Sequence, residues 1–221
     1  VRDLMQPIID KLNENTDFEG INDYSVIDSI CESQKSDKIF YEFETMTNTT
    51  TSLCKTIPYN TNLSIHLSVL SSLLETEFIY KQVREKIGAY GVSCIHFIFQ
   101  GVLSISSYRD KDCIGCLEAY KSSIEKVARG EFDDGIVERS IINFFSINDQ
   151  PRSPGEKVKT YSFSNVNYDD VQSRRTKALK VNKNDLVEAA KFLLKQKWFS
   201  YVFGNRTASD IPEDFTVQEL E

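Results

Sequence analysis

The sequence predicts an α+β domain, and three observations carry that prediction. Strand-like runs, one long helix, a close pair of strands, several helices and a last strand follow one another without regular βαβ alternation. The long helix announces itself by an apolar stripe, Leu63, Leu67, Leu70, Leu74 and Phe78, at helical spacing. The paired strands are separated only by Gln100-Gly101, too little chain for a parallel crossover, so they form an antiparallel hairpin.

Taken in order, residues 1–36 read as a connector, with Leu4, Ile8, Ile9 and Leu12 at helical spacing before a polar stretch. Strands are expected over 39–46 and 52–59, with Thr- and Asn-rich turn sequence between them. The helix over 63–86 buries its stripe, widened by Ile65, Val69 and Leu73, and its other side is made of the small residues Ser64, Ser68, Ser71 and Ser72. Gly88 supplies the stop, because the residue after a last helical turn often needs a positive φ. The hairpin strands run over 92–99 and 102–108.

Leu117, Tyr120, Ile124 and Val127 mark the next helix, closed by Gly130, and Val137, Ile141, Phe144 and Phe145 mark another. The segment 151–155, with two prolines and a glycine, breaks the helical pattern. Helices then follow around 168–179 and 183–195, the second introduced by Asn182 with Asp185 three residues on. Residues 198–203 read as a final strand ending at Gly204, and 205–221 as a polar, acidic tail.

Composition narrows the function classes. The chain has 221 residues, 40% hydrophobic and 27% charged, enough to bury a core and unlike a disordered or collagenous sequence. No apolar run reaches the roughly 18 residues of a membrane span, so no membrane partner is expected. With 26 basic against 33 acidic residues the net charge is −7, which argues against nucleic acid as a partner. Val1-Arg2-Asp3-Leu4 lacks the pattern of a secretory signal and the first residue is not Met, which suggests a fragment or a processed product. The 5 cysteines, an odd and scattered set, point to a reducing intracellular compartment, cytosol or organelle lumen.

Candidate chemistry is sparse. The 2 histidines, His66 and His96, sit in no metal motif. His96 shares a strand face with Cys94, and the two can begin a zinc site but not complete one. Cys113-Ile114-Gly115-Cys116 lies between a strand and a helix, where a thiol redox pair sits. Arg84 in the last turn of the long helix and Tyr90 just past Gly88 are two donors able to hold a peptide carbonyl. The alternative is an arginine favouring the helix dipole and a tyrosine packed in the sheet.

The run Arg84-Glu85-Lys86-Ile87-Gly88-Ala89-Tyr90-Gly91 resembles the R-E-x-G-G-A-Y-G segment in the C-terminal half of pitrilysin/insulinase-type zinc metallopeptidases, nearest the presequence-protease and falcilysin branch. Ser106-Ser107-Tyr108-Arg109-Asp110 is similar to that family's S-Y-R-D, and the likeness extends through Asp149-Gln150-Pro151, Pro154, Gly155, Arg174-Arg175 and Asn184-Asp185-Leu186. It covers about 41–204, with Ile87 in place of the first glycine of the family's pair. The resemblance implies a mainly antiparallel sheet covered by helices over 37–204, the last of four related domains that close around a chamber. It implies that zinc and a catalytic glutamate belong to an N-terminal half outside this chain, which leaves this fragment inactive alone. It also implies a peptide substrate held by Arg84 and Tyr90. Two rivals stand beside this reading: a non-catalytic member that uses the fold for assembly, and a small thiol redox module built on Cys113 and Cys116.

Overall fold

The computed structural model describes residues 36–57, 59, 61–164, 166–205 and 211–219. The expected connector helix and Cys31 lie outside them. Six strands form one mixed sheet in the order β3-β4-β2-β5-β1-β6: β1 Lys38–Glu42, β2 Asn48–Lys55, β3 Gly91–Phe97, β4 Val102–Asp110, β5 Trp198–Gly204 and β6 Thr216–Glu219. The β2–β4, β2–β5 and β3–β4 pairs are antiparallel, and β1 runs parallel to both β5 and β6. The predicted α+β class with a mainly antiparallel sheet is therefore observed.

Helix α1, Asn62–Leu73, starts on the Thr61 hydroxyl, which accepts from the Ser64 N–H. Its serine side is buried as well as its leucine stripe, because Ser68 and Ser71 return their hydroxyls to the backbone carbonyls of Ser64 and Ser68. The predicted helix continues past Leu73, but as a π-helical segment, Leu74–Ile87. The wider i→i+5 turn moves the buried line from Phe78 to Leu74, Ile79 and Val83, spaced five and four residues apart. The segment ends at Gly88, whose φ of 87° is the left-handed conformation that the sequence assigned to it.

Helices α2 (Cys113–Ala128), α3 (Asp134–Asn148), α5 (Tyr168–Ala178) and α6 (Lys183–Leu194) match the predicted periodicities. Asn167 and Asp170 form a capping box at the start of α5, and Asn182 and Asp185 form one at the start of α6. Together with α1 the helices cover one face of the sheet. Between them lies one large core that includes Leu67, Leu70, Leu103, Ile105, Ile124 and Leu193.

The structure departs from expectation in several places. Helix α4, Pro154–Ser164, begins within the segment 151–155 expected to break the helical pattern, because Pro154 stands at its first position and Ser153 and Glu156 exchange hydrogen bonds across its start. The hairpin turn spans four residues, since Phe97 pairs with Val102 and Gly101 has a φ of 63°. β2 begins at Asn48, within the presumed turn, because Thr49, Thr50 and Thr51 pair with both β4 and β5. β1 stops at Glu42. The segment read as a polar tail adds β6, where Phe215 and Val217 pack with Phe40, Cys113 and Val202 in a second, smaller core. Gly204 closes β5 against the buried Asn48 side chain, whose Oδ1 would lie only 2.0 Å from an added Cβ.

Candidate functional site

The two residues singled out as peptide donors sit where the π-helical segment hands over to β3. Gly88 turns the chain, and the Tyr90 N–H donates to the Tyr108 carbonyl at 3.0 Å, joining the helix exit to the hairpin. Tyr90 is 66% exposed, so its phenol is presented outward and does not pack in the sheet. Arg84 is also exposed, with its guanidinium carbon 5.1 Å from the Tyr80 ring centre. The two donors therefore have different neighbours: Tyr80 for Arg84, and Tyr108 with Arg109 for Tyr90.

Register builds the surroundings of Tyr90. Gly91 pairs with Tyr108, which brings the Tyr90 and Tyr108 rings into an edge-to-face contact at 6.2 Å. Arg109 takes a φ of 53°, the one positive value outside glycine among the described residues. Its guanidinium carbon lies 5.7 Å from the Tyr90 ring centre and 5.2 Å from that of Tyr108. The turn is anchored by Asp110, which is fully buried and accepts from the Ser107 hydroxyl at 2.7 Å. Burial raises the Asp110 pKa, opposed by hydrogen bonding from Ser107, Thr50 and Asn48. Two exposed phenols, Tyr90 and Tyr108, and the Arg109 guanidinium thus gather at one end of the hairpin, a set of donors without a nucleophile or base. Sequence reasoning quoted Tyr108 and Arg109 as part of a motif but did not place them beside Tyr90; the hairpin register was the missing signal.

The other candidates resolve differently. Cys113 and Cys116 are buried, in the small and the large core respectively. Burial, with help from the Asp110 and Asp112 carboxylates, pushes Cys113 up to about 11, and burial with the same charges pushes Cys116 up to about 12. A redox pair needs an accessible, acidified thiol, so the thiol-module reading is overturned. His96 lies on the helix-facing side of β3 with Cys94, but its two nitrogens are taken by Thr56 Oγ1 at 3.1 Å and Ser68 Oγ at 2.8 Å. Burial, and then the charge of Arg174, lower its pKa to about 3. His66 faces Asp185 at 4.0 Å. Among the described residues no three His, Cys, Asp or Glu side chains gather as metal ligands, so these residues do not fit a zinc site. No helix is long and apolar enough to cross a membrane among them either.

One further cluster was invisible in the sequence. Arg174, on the polar helix α5, is 8% exposed and stacks over Tyr59 at 4.9 Å. It donates to the Tyr59 and Ser64 carbonyls and to the Ser64 and Ser68 hydroxyls. Through Ser68 it joins His96 and Thr56 in one buried chain.

Comparison with known proteins places this architecture. The model of the PreP C-terminal domain family matches residues 40–202. The mitochondrial presequence protease of Schizosaccharomyces pombe is 30% identical over 177 residues, which are 79% of this chain and 18% of that protein. The chain thus spans under a fifth of the length of that relative. The fold is shared with the peptidase M16 inactive domain from Pseudomonas fluorescens, at TM-score 0.62 and 16% identity over 79% of this chain and 44% of that one. It is shared also with pitrilysin, at TM-score 0.57 and 16% identity over 84% of this chain and 22% of that one. A family model spanning most of the chain, on a fold common to pitrilysin-type peptidases, makes this chain a member of the PreP C-terminal domain family.

Proposed function

We propose that this chain is the substrate-enclosing C-terminal domain of a zinc metalloendopeptidase that degrades peptides in a closed chamber. In this reading the zinc and the catalytic glutamate lie in an N-terminal half, in keeping with a relative several times the length of this chain. The observation that carries it is the exposed Tyr90, held at the helix exit beside Tyr108 and Arg109 in a run that resembles the family's R-E-x-G-G-A-Y-G segment. Arg84 and Tyr90 each offer a donor to a peptide carbonyl. Such a donor accelerates hydrolysis when it bonds more strongly to the oxygen as that atom gains charge. The mitochondrial naming of the relative suggests the same compartment for this protein.

In the complete enzyme, Arg84→Ala and Tyr90→Phe should each lower kcat by about 10²–10³, the usual loss for one such donor. Both side chains are exposed, so the melting temperature should stay unchanged. Arg84→Lys should restore little, because an ammonium does not reproduce the planar guanidinium fork. Full turnover with Tyr90→Phe would remove the phenol from the mechanism. The second reading, a non-catalytic member, is favoured by the likeness to a domain described as inactive. An H-x-x-E-H helix encoded upstream of Val1 would exclude it, and the lack of one in the complete protein would sink the peptidase reading.

A further inference from the structure

A cleft of about 550 Å³ opens between the end of α3, the turn before α4 and the start of α5. That volume lies within the ~300–1,000 Å³ typical of small-molecule sites. Aromatic and branched side chains, among them Phe99, Phe144 and Val171, form its walls. Its charged lining is unbalanced: Arg152, Lys157, Arg174 and Arg175 face a single carboxylate, Asp149. Arg175 already occupies that carboxylate at 2.5 Å. The cleft is thus cationic in a chain whose net charge is −7.

Arg174 is the decisive group. It is 8% exposed, and its four hydrogen bonds all go to neutral oxygens. A guanidinium carries five N–H donors, so Nε–H is left with no acceptor among the described residues. Two nearby carboxylates are committed to helix starts: Glu156 accepts from Ser153, and Asp170 from the Asn167 N–H. Buried charges are ordinarily paired, and this one forms no ion pair among the described residues. Arg152 and Lys157 add two exposed cations to the same cleft.

We infer that this cleft binds a carboxylate carried on an apolar group, the anion meeting Arg174, Arg152 and Lys157 and the apolar body lying against Phe99, Phe144 and Val171. The free Nε–H of Arg174 supplies one charge-assisted hydrogen bond to the carboxylate, Arg152 and Lys157 supply the others, and desolvation by the walls strengthens the contact. The inference does not depend on the peptidase reading, since it uses no residue of the Tyr90 cluster.

Calorimetric titration of the 221-residue chain with N-acetyl-phenylalanine, octanoate and N-acetyl-phenylalaninamide tests it. Both acids should bind saturably, and the amide at least about tenfold more weakly than its acid. The Arg152→Ala/Lys157→Ala double variant alters only exposed side chains and should weaken both acids about tenfold while leaving the amide unchanged. Tighter binding of N-acetyl-phenylalanine would identify the source as a peptide C-terminus, and tighter binding of octanoate a free fatty acid; equal affinities uphold the shared chemistry. No saturable heat with either acid, equal affinity for acid and amide, or unchanged acid binding in the double variant would each overturn the inference.

Discussion

Of the arginines that lie over tyrosine rings among the described residues, Arg109 stands at the exposed end of the hairpin and Arg174 beneath the long helix. Their ring distances are alike, 5.2–5.7 Å for Arg109 and 4.9 Å for Arg174, yet their surroundings differ in kind. Arg109 is exposed, so water screens its charge and the stack contributes about 0.5–1 kcal/mol. Arg174 has lost its water, and burial depresses its pKa to about 10. Its four hydrogen bonds tie α5 to the first turns of α1 and to Tyr59, three residues before it. The same chemical pair therefore serves presentation at one site and cohesion at the other. Solvent access, not ring distance, decides which.

The largest expected effect breaks the buried stack. Arg174→Ala would take one charged donor each from the Tyr59 and Ser64 carbonyls and the Ser64 and Ser68 hydroxyls. A loss of about 3 kcal/mol is expected, seen as a fall in Tm of roughly 6–12 °C. A Tm within 2 °C or so of the parent would show that the network is dispensable.

Next in size is the response to acid. His96 titrates at about 3 in the folded chain against 6.5 as a free group, because burial and the Arg174 charge disfavour the imidazolium. Between these values the unfolded chain binds the additional proton, so stability is fully present above pH 6.5 and falls as pH drops toward 3. From pH 6.5 to 5 the loss should reach about 2 kcal/mol, at ~1.4 kcal/mol per unit. Denaturant melts of the parent and of His96→Gln should converge as pH falls through this window. Parallel pH profiles for the two would remove His96 as the source.

The smallest effect belongs to the exposed stack. Arg109→Gly relieves a positive φ of 53° while giving up the ring contacts, so folding stability should change by under about 1 kcal/mol. A fall as large as that of Arg174→Ala would erase the distinction between the two sites. A last observation sharpens the same contrast between exposed and buried groups. Cys113 and Cys116 should resist a thiol reagent until the chain unfolds, whereas Tyr90 should be iodinated readily in the native state.

Local signals were read well wherever a few neighbouring residues carry the physics. Asn182 with Asp185 starts α6, Gly88 stops the long helix, and the short link at Gln100-Gly101 pairs two antiparallel strands. The candidate site was legible in part: Arg84 and Tyr90 stand in one recognisable run, but nothing local shows that Arg109 reaches Tyr90. That contact depends on the pairing of Gly91 with Tyr108 and on one unusual backbone angle.

What the amino-acid sequence determined by itself was the fold class, the order of every element but α4 and β6, and the family resemblance, because periodicity and capping act over a turn or two. The tertiary structure decided the rest. It turned the second half of the long helix into a π-helical segment so that Ile79 and Val83 meet the core. It recruited residues 216–219 as a strand that only the neighbouring β1 supports. It also buried Arg174, on a helix whose composition reads as solvated, through bonds to residues 106–115 positions away. Contacts at that separation leave no local pattern, since their free energy appears only when the two segments meet.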